Sequence, residues 1–304
     1  DCLLSRGLGD VYKRQDAGHA VTGLDNLSPY YDPALKRARL AEIEGRNGFC
    51  FVDLDVENAA ELVSLFEAER PEIVFHLAAQ AGVRHSLSHP QAYVGANIVG
   101  TFNMLEACRA HTPAHLVLAS TSSIYGASTS MPFDERVRTA EPLTIYAASK
   151  GAGELMAHSY AHLYAIPTTA VRFFTVYGPW GRPDMAYYIF ARRILSGEPL
   201  EINNNGSSLR DFTYIDDLVE AMARLMDAVP GAEGRVEGDT LSPVAPYRVV
   251  NAGGGQPVGL MDFVAEIEKA AGVTAQKLYR ALPAGDSDAT FADTRLLRSL
   301  TGYA

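Results

Sequence analysis

Short apolar runs alternate with longer helical patterns along this chain, and each run ends on polar or small residues. Val21-Thr22-Gly23-Leu24 ends at Asp25, and Phe49-Cys50-Phe51-Val52 ends at Asp53. Ile73-Val74-Phe75-His76-Leu77 ends in Ala78-Ala79-Gln80, and the run from Ala114 to Ala119 ends in Ser120-Thr121-Ser122-Ser123. Such runs suit strands buried in a parallel sheet. Helical patterns at 33–44, 58–69, 93–110 and 147–164 separate them. This alternation predicts an α/β fold, a doubly wound parallel sheet of Rossmann type with a smaller lobe towards the C-terminus. Ligands bind at the carboxyl ends of the strands in such sheets, which is where the polar residues fall.

The last helical pattern opens on Tyr146-Ala147-Ala148-Ser149-Lys150. Residues four apart share a helix face, so Tyr146 and Lys150 project into the same space. A nearby ammonium favours the phenolate and lowers a tyrosine pKa. A tyrosine tuned in this way can take a proton from a sugar or alcohol hydroxyl near neutral pH. The hydroxyls of the preceding Ser/Thr cluster can hold the same substrate oxygen. Alone, the pair is a weak signal, since any surface helix can carry it. Its place after a Ser/Thr strand end makes it informative.

Charge and composition narrow the classes further. The formal net charge is −10 and no basic tract stands out, which argues against nucleic acid. No apolar run is long enough to span a bilayer, and the start has no signal-peptide core. A cytoplasmic protein without a membrane partner is expected. Cys2, Cys50 and Cys108 form neither a metal pattern nor a disulfide framework. Cys50 and Cys108 read as core packing in a reduced compartment. His158 and His162 are four apart, but nothing acidic completes a site, so no metal is expected. An anionic substrate would need local arginines, and Arg84, Arg182 and Arg210 are candidates. The stretch 203–206 reads as a turn and 233–246 as a surface loop. Residues 247–251 then resume a strand and 258–271 a helix.

Four motifs together carry a resemblance: His76 to Gln80, Ser120 to Gly126, Tyr146 to Lys150, and Arg210-Asp211-Phe212-Thr213-Tyr214-Ile215-Asp216-Asp217. From about Asp16 onward the chain resembles an extended short-chain dehydrogenase/reductase of the NAD-dependent sugar-nucleotide epimerase/dehydratase type. Within that group, the stretch from Arg172 to Ala186 is most similar to the UDP-glucuronate 4-epimerases. The resemblance implies NAD as cofactor, a UDP-sugar as substrate, and a homodimer formed through a helix pair that includes 146–164. It implies catalytic roles for Tyr146, Lys150, Thr121, Ser122 and Ser123. Asp25 would face the adenosine ribose, and Asn26 would bind the cofactor beside it; a carboxylate there accepts from ribose hydroxyls and repels a 2′-phosphate, which favours NAD over NADP. Asp53 and Leu54 would flank the adenine. Leu77, Ala78, Ala79, Gln80, Asn97, Ser120 and Phe173 would line the rest of the cofactor site, with Tyr146 and Lys150. Arg84, Thr175, Arg182, Arg210 and Asp286 would face the substrate, Arg210 at the UDP diphosphate because a guanidinium fork matches phosphate oxygens. The plain alternative for Arg210 is an ion pair with Asp211 or Asp216.

The family opens with a strand, a turn of G-x-x-G-x-x-G type and a helix, which brings backbone N–H groups to the pyrophosphate. Residues 1–15 show no such pattern, and Gly7 and Gly9 lack the spacing. They read as a foreign or misassembled segment that would weaken NAD binding, and the C-terminus reads as stopping before a further helix. The expected division is a Rossmann domain at 16–178, continuing through parts of 209–252, with a substrate lobe mainly at 179–304. The expected reaction is inversion at C4 of UDP-glucuronate through a 4-keto sugar. UDP-glucose 4-epimerase, a decarboxylase or dehydratase, and a non-catalytic nucleotide-binding Rossmann protein remain as alternatives. Relatives that decarboxylate or eliminate carry acidic residues just after the catalytic Thr, where this chain has Ser122 and Ser123. Arg182 and the context of Thr175 count against a neutral sugar, and Tyr146 with Lys150 against a non-catalytic role.

Overall fold

The computed structural model describes residues 14, 18–231 and 233–303. Apart from Arg14, the expectations for the opening segment and its missing Gly-rich turn lie outside the described residues.

Four strands form one parallel ladder in the order β3 (Ile73–His76), β4 (His115–Thr121), β5 (Thr168–Phe173) and β9 (Tyr247–Ala252). A second parallel ladder pairs β1 (Val21–Asp25) with β2 (Phe49–Asp53). Helices pack on both faces of the larger ladder, so side chains of each polarity of the pleat are buried. Leu116 and Leu118 of β4 join Met104, Leu105 and Cys108 of the Gly100–Ala110 helix, with Ala157 and Ala161 of the Ile145–Tyr164 helix. Val117 and Ala119 turn the other way and pack with Leu218, Met222 and Leu225 of the Ile215–Leu225 helix. All seven residues of β4 are buried. The expected doubly wound α/β architecture is therefore present. Among the described residues the two ladders are not hydrogen-bonded to each other. Thr22, Leu24, Ile73, Val74 and Phe75 line a groove between them.

A smaller sheet centres on β8 (Leu209–Tyr214). β6 (Thr175–Tyr177) and β12 (Ala289–Thr290) pair with it in parallel, and β10 (Pro257–Gly259) pairs antiparallel. β7 (Leu200–Ile202) pairs with β11 (Lys277–Tyr279) over a separate core of Phe190, Ile194 and Val264.

Local sequence explains the element boundaries well. Asp32 caps the Pro33–Glu44 helix by accepting from Ala34 N–H, Asn58 caps Ala59–Glu69, and Thr144 caps Ile145–Tyr164. Three expectations need correction. The helix expected over 93–110 is Pro90–Tyr93, then a π-helical stretch Val94–Val99, then Gly100–Ala110. Tight packing accompanies the widened turn: a Cβ at Gly95 would stand 2.6 Å from the Glu57 carboxylate, and one at Gly100 2.6 Å from Val56. The helix expected from 258 starts at Leu260, because residues 257–259 are spent on pairing with β8. Cys50 is exposed rather than core, although Val52 on the same face of β2 packs against the core; Cys108 is buried.

Two buried histidines make the fold acid-sensitive. Burial, with the Lys150 charge, pushes His76 down to about 3. Burial, opposed by a bond to the Met226 carbonyl, pushes His115 down to about 4. Below pH 6.5 the unfolded chain takes up two protons that the folded chain refuses, so stability falls as pH drops towards 4. Glu135 acts in the opposite sense: burial raises it to about 7, so it costs stability as pH rises from about 4.5 to 7. Each group is worth about 1.4 kcal/mol per pH unit, so one net histidine survives between pH 6.5 and 5. Urea unfolding should give a stability about 1–2 kcal/mol lower at pH 5 than at pH 6.5. In His115→Gln that difference should vanish; an unchanged difference would remove His115 from the acid response.

Candidate active site

The site begins where β4 runs out of buried length. Thr121 caps the next turn, Ser122–Tyr125, by accepting from Ser123 N–H at 3.2 Å. Gly126 follows at φ +55, where a Cβ would lie 1.9 Å from the Glu141 carbonyl. Only glycine allows this close return of the chain, so the Ser/Thr cluster ends facing outward at the sheet edge. Thr144 then starts the helix that carries Tyr146 in its first turn. A helix N-terminus favours negative charge, which is what a phenolate needs.

Tyr146 and the cluster meet in an open cleft. Thr121, Ser122 and Ser123 lie on it together with Phe173, Thr175, Arg182, Arg210 and Asp286. β5 and β6 deliver Phe173 and Thr175, while β8 delivers Arg210. The cleft therefore gathers residues spread over more than half the chain. Lys150 lies one turn below Tyr146 and is 5% exposed. Its charge is felt at buried His76, on the neighbouring strand end.

On the cofactor side, Asp25 is 3% exposed at the end of β1 and directly opposite Asp53 in register. Its Oδ1 accepts from Leu27 N–H at 2.7 Å, and Lys36 approaches within 3.9 Å. Asn26 donates to Asp55 at 2.8 Å. Asp53 and Leu54 line a shallow depression with Ala60, Glu61 and Ser64. Ala78 and Ala79 follow β3 with no side chain beyond Cβ, which leaves room for a close backbone approach. A strand-end carboxylate, small residues after β3 and a buried lysine suit the neutral ribose diols of NAD. In this donor set a 2′-phosphate would face the Asp25 carboxylate.

Several side chains do something other than expected. Ser120 lines the cleft beside Thr121, but its hydroxyl donates to Glu154 Oε1 at 2.5 Å. Leu77 is a core residue, so only its backbone is placed to meet a cofactor. Asn97 is 1% exposed; it accepts from Gln80 N–H and donates to the Gln80 carbonyl and to Ser149 Oγ. It shapes the loop after β3 instead of reaching open space. Arg84 is largely exposed and pairs with Asp286 at 3.2 Å, so these two expected substrate residues close the rim on each other. Arg210 donates to the carbonyls of Leu209, Ser287 and Asp288. Asp211, the partner offered by the plain alternative, is buried and accepts from the N–H groups of Gly254, Gly255 and Ala292.

A buried polar network under the cleft escaped the sequence reading. Arg172 donates to both oxygens of Glu154, at 3.0 and 2.8 Å, and to the Glu135 carbonyl at 3.0 Å. Its guanidinium sits 4.9 Å from the centre of the Tyr125 ring, and Tyr125 donates to Asn251 at 2.7 Å. Two signals were present: Glu154 stands four residues after Lys150, and Arg172 is the one charged residue of a fully buried strand. Among the described residues no His, Cys, Asp or Glu group could hold a metal ion. No helix of them is long and apolar enough to cross a membrane. His158 and His162 instead bond Ser242 and the Val244 carbonyl.

A probable UDP-glucuronate 4-epimerase from Rhizobium meliloti (strain 1021) is 54% identical over 292 residues, covering 95% of this chain and 86% of that protein. A crystal structure of UDP-glucuronic acid 4-epimerase from Bacillus cereus, in complex with UDP-glucuronic acid and NAD, superposes with a TM-score of 0.86. It is 30% identical, and the match covers 99% of this chain and 90% of that one. MoeE5 in complex with UDP-glucuronic acid and NAD gives a TM-score of 0.79 at 31% identity, over 99% and 90% of the two chains. The profile of the NAD dependent epimerase/dehydratase family matches residues 11–236. The chain belongs to the NAD dependent epimerase/dehydratase family.

Proposed function

We propose that this chain is an NAD-dependent UDP-glucuronate 4-epimerase. The observation that carries the reading is the cleft that Tyr146, Thr121, Ser122 and Ser123 share with Thr175 and Arg182. When bound, NAD supplies a hydride acceptor for the sugar C4 and gives the hydride back, so no outside redox partner is needed. Tyr146 takes the O4 proton and later returns it. Lys150 and the helix N-terminus favour its phenolate. Thr121 and Ser123 orient the sugar oxygen, and Arg210 with Asp286 holds the nucleotide end. The sugar, tethered by its diphosphate, turns over between the two proton transfers.

The 4-keto sugar from glucuronate is a β-keto acid, which loses CO2 when the breaking bond aligns with the ketone π system. An epimerase must hold the carboxylate out of that alignment. Ser122, Ser123, Thr175 and Arg182 offer donors for this, and no acidic side chain follows Thr121 to assist decarboxylation or elimination. Incubating the NAD-loaded protein with UDP-glucuronate, with products read by mass and NMR, should give UDP-galacturonate and no pentose. Better turnover of UDP-glucose would sink the substrate assignment. That second reading has one observation in its favour: MoeE5 has also been crystallised with UDP-glucose and NAD.

Arg182→Ala or Thr175→Val should divert substrate to CO2 and a UDP-pentose. A lost charge-assisted hydrogen bond is worth roughly 1.5–3 kcal/mol, and each ~1.4 kcal/mol changes a rate ratio about tenfold. Pentose should therefore rise at least several-fold in the product mixture. Loss of activity without any pentose would rule out the carboxylate-holding role.

The same reading makes the protein a cytoplasmic homodimer, with a Rossmann domain at 16–178 that continues through parts of 209–252 and a substrate lobe mainly at 179–304. Leu155 and Leu163, 73% and 66% exposed on the Ile145–Tyr164 helix, with Phe102 on the adjacent Gly100–Ala110 helix, supply an apolar face for the second copy.

A further inference from the structure

The loop between β1 and the Pro33–Glu44 helix reaches across to the segment that carries Arg182. The Tyr30 hydroxyl donates to Asp184 Oδ2 at 3.0 Å, across 154 positions of sequence. Buried Arg39 adds a second tie, donating to the Gly181 carbonyl at 3.2 Å and bonding the Tyr31 hydroxyl. Asp184 in turn grips Arg182 with both oxygens, Nε to Oδ1 at 3.0 Å and Nη2 to Oδ2 at 2.8 Å. The Arg182 side chain is 9% exposed and lines the cleft with Tyr146 and Thr175. Tyr30 passes directly over Gly82: a Cβ there would stand 2.6 Å from the Tyr30 hydroxyl, at φ +103. His85 packs on the Tyr30 ring at 4.7 Å between centroids.

Resting on the reading of the cleft as a UDP-glucuronate site, we propose that Tyr30 and Asp184 are positioning residues that set Arg182 for the sugar carboxylate and so favour an acidic over a neutral sugar. An arginine that must be ordered at the moment of binding gives up rotamer freedom then. A bidentate carboxylate fixes the guanidinium plane beforehand. A carboxylate beside Arg182 would also repel the substrate carboxylate. The Tyr30 hydroxyl draws on the Asp184 oxygen and holds it against the arginine edge. Tyr30 keeps its proton for this task, because burial and the Asp184 charge both raise its pKa. The loop that carries Tyr30 also carries Asn26, next to Asp25, so the contact ties the cofactor side of the site to the substrate segment.

The test compares the NAD-loaded parent with Tyr30→Phe, Asp184→Asn and the double variant. KM and kcat are measured for UDP-glucuronate and UDP-glucose, and calorimetry gives the affinity of each sugar nucleotide. The expected result is a KM and Kd for UDP-glucuronate raised about tenfold in each single variant, as for one lost charge-linked hydrogen bond. UDP-glucose values should move less than about twofold on the same reasoning, since that sugar has no carboxylate to hold. The double variant should be no worse than the weaker single variant, because all three break one chain of contacts. Equal losses for both sugars, or losses that multiply in the double variant, would show a merely structural role. A parent that does not prefer UDP-glucuronate overturns the substrate reading and this role together. A selective parent whose variants stay selective overturns this role alone.

Discussion

Tyr146→Phe should lower kcat by roughly 10²–10⁴-fold, the usual worth of a positioned general acid–base group, and leave the fold intact. The substitution removes one oxygen. The ring keeps its edge contact with Tyr93, at 6.0 Å between centroids, and the Thr144 cap of the helix is untouched. UDP-glucuronate should still bind, because Tyr146 is not among the residues proposed to hold the diphosphate and the carboxylate. The loss should therefore appear in kcat far more than in KM. Steady-state rates beside a thermal melt separate the outcomes. A variant within a few-fold of the parent would remove Tyr146 from proton transfer. A variant that melts early would show that its hydroxyl is structural.

Glu154→Ala should be the most destabilising single change near the site. Glu154 and Arg172 are both nearly buried, with side chains 8% and 5% exposed. Removing the carboxylate strands the Arg172 guanidinium and the Ser120 hydroxyl in the core. Breaking a buried pair on one side costs about 3–5 kcal/mol, or a Tm lower by roughly 10 °C for a chain of this size. Activity should fall as well, because Glu154 anchors the Ile145–Tyr164 helix to the end of β4, and these two elements carry Tyr146 and Thr121. The paired change Glu154→Leu with Arg172→Met should be milder than Glu154→Ala, since it leaves no uncompensated charge. Urea unfolding decides between the cases. If the double change is the more harmful, the network stabilises through its hydrogen bonds and not merely by mutual neutralisation.

Some of this was legible in the residues and some was not, for reasons that differ by element. The Pro33–Glu44 helix starts and stops where the pattern places it, because Asp32 and Pro33 signal the start through contacts within one turn. The cluster at the end of β4 and the Tyr146–Lys150 pair were readable for the same reason, since strand ends and helix faces follow from short spacing. The direction of a side chain at a strand end was not readable. Ser120 and Thr121 are neighbours of like chemistry and both line the cleft, yet the Ser120 hydroxyl is given to Glu154 while that of Thr121 accepts from Ser123 N–H. Pleating alternates faces, but which face meets the cleft depends on what packs above it.

Cys50 shows the same limit, being apolar in character but exposed, because an apolar run does not say how much of its strand is covered. Arg84 and Asp286 are a further case: each reads as a substrate contact, and only their juxtaposition across the rim shows that they pair. By itself the sequence determined the alternation of strands and helices, the helix face that presents Tyr146 and Lys150, and the family that these motifs mark. Only the tertiary structure decided that Glu154 meets Arg172, that Asn97 holds the Gln80 loop and that Tyr30 meets Asp184. Those partners lie 18, 17 and 154 positions apart. Their contacts are set by how helices and loops dock over a sheet, and local spacing carries no record of that.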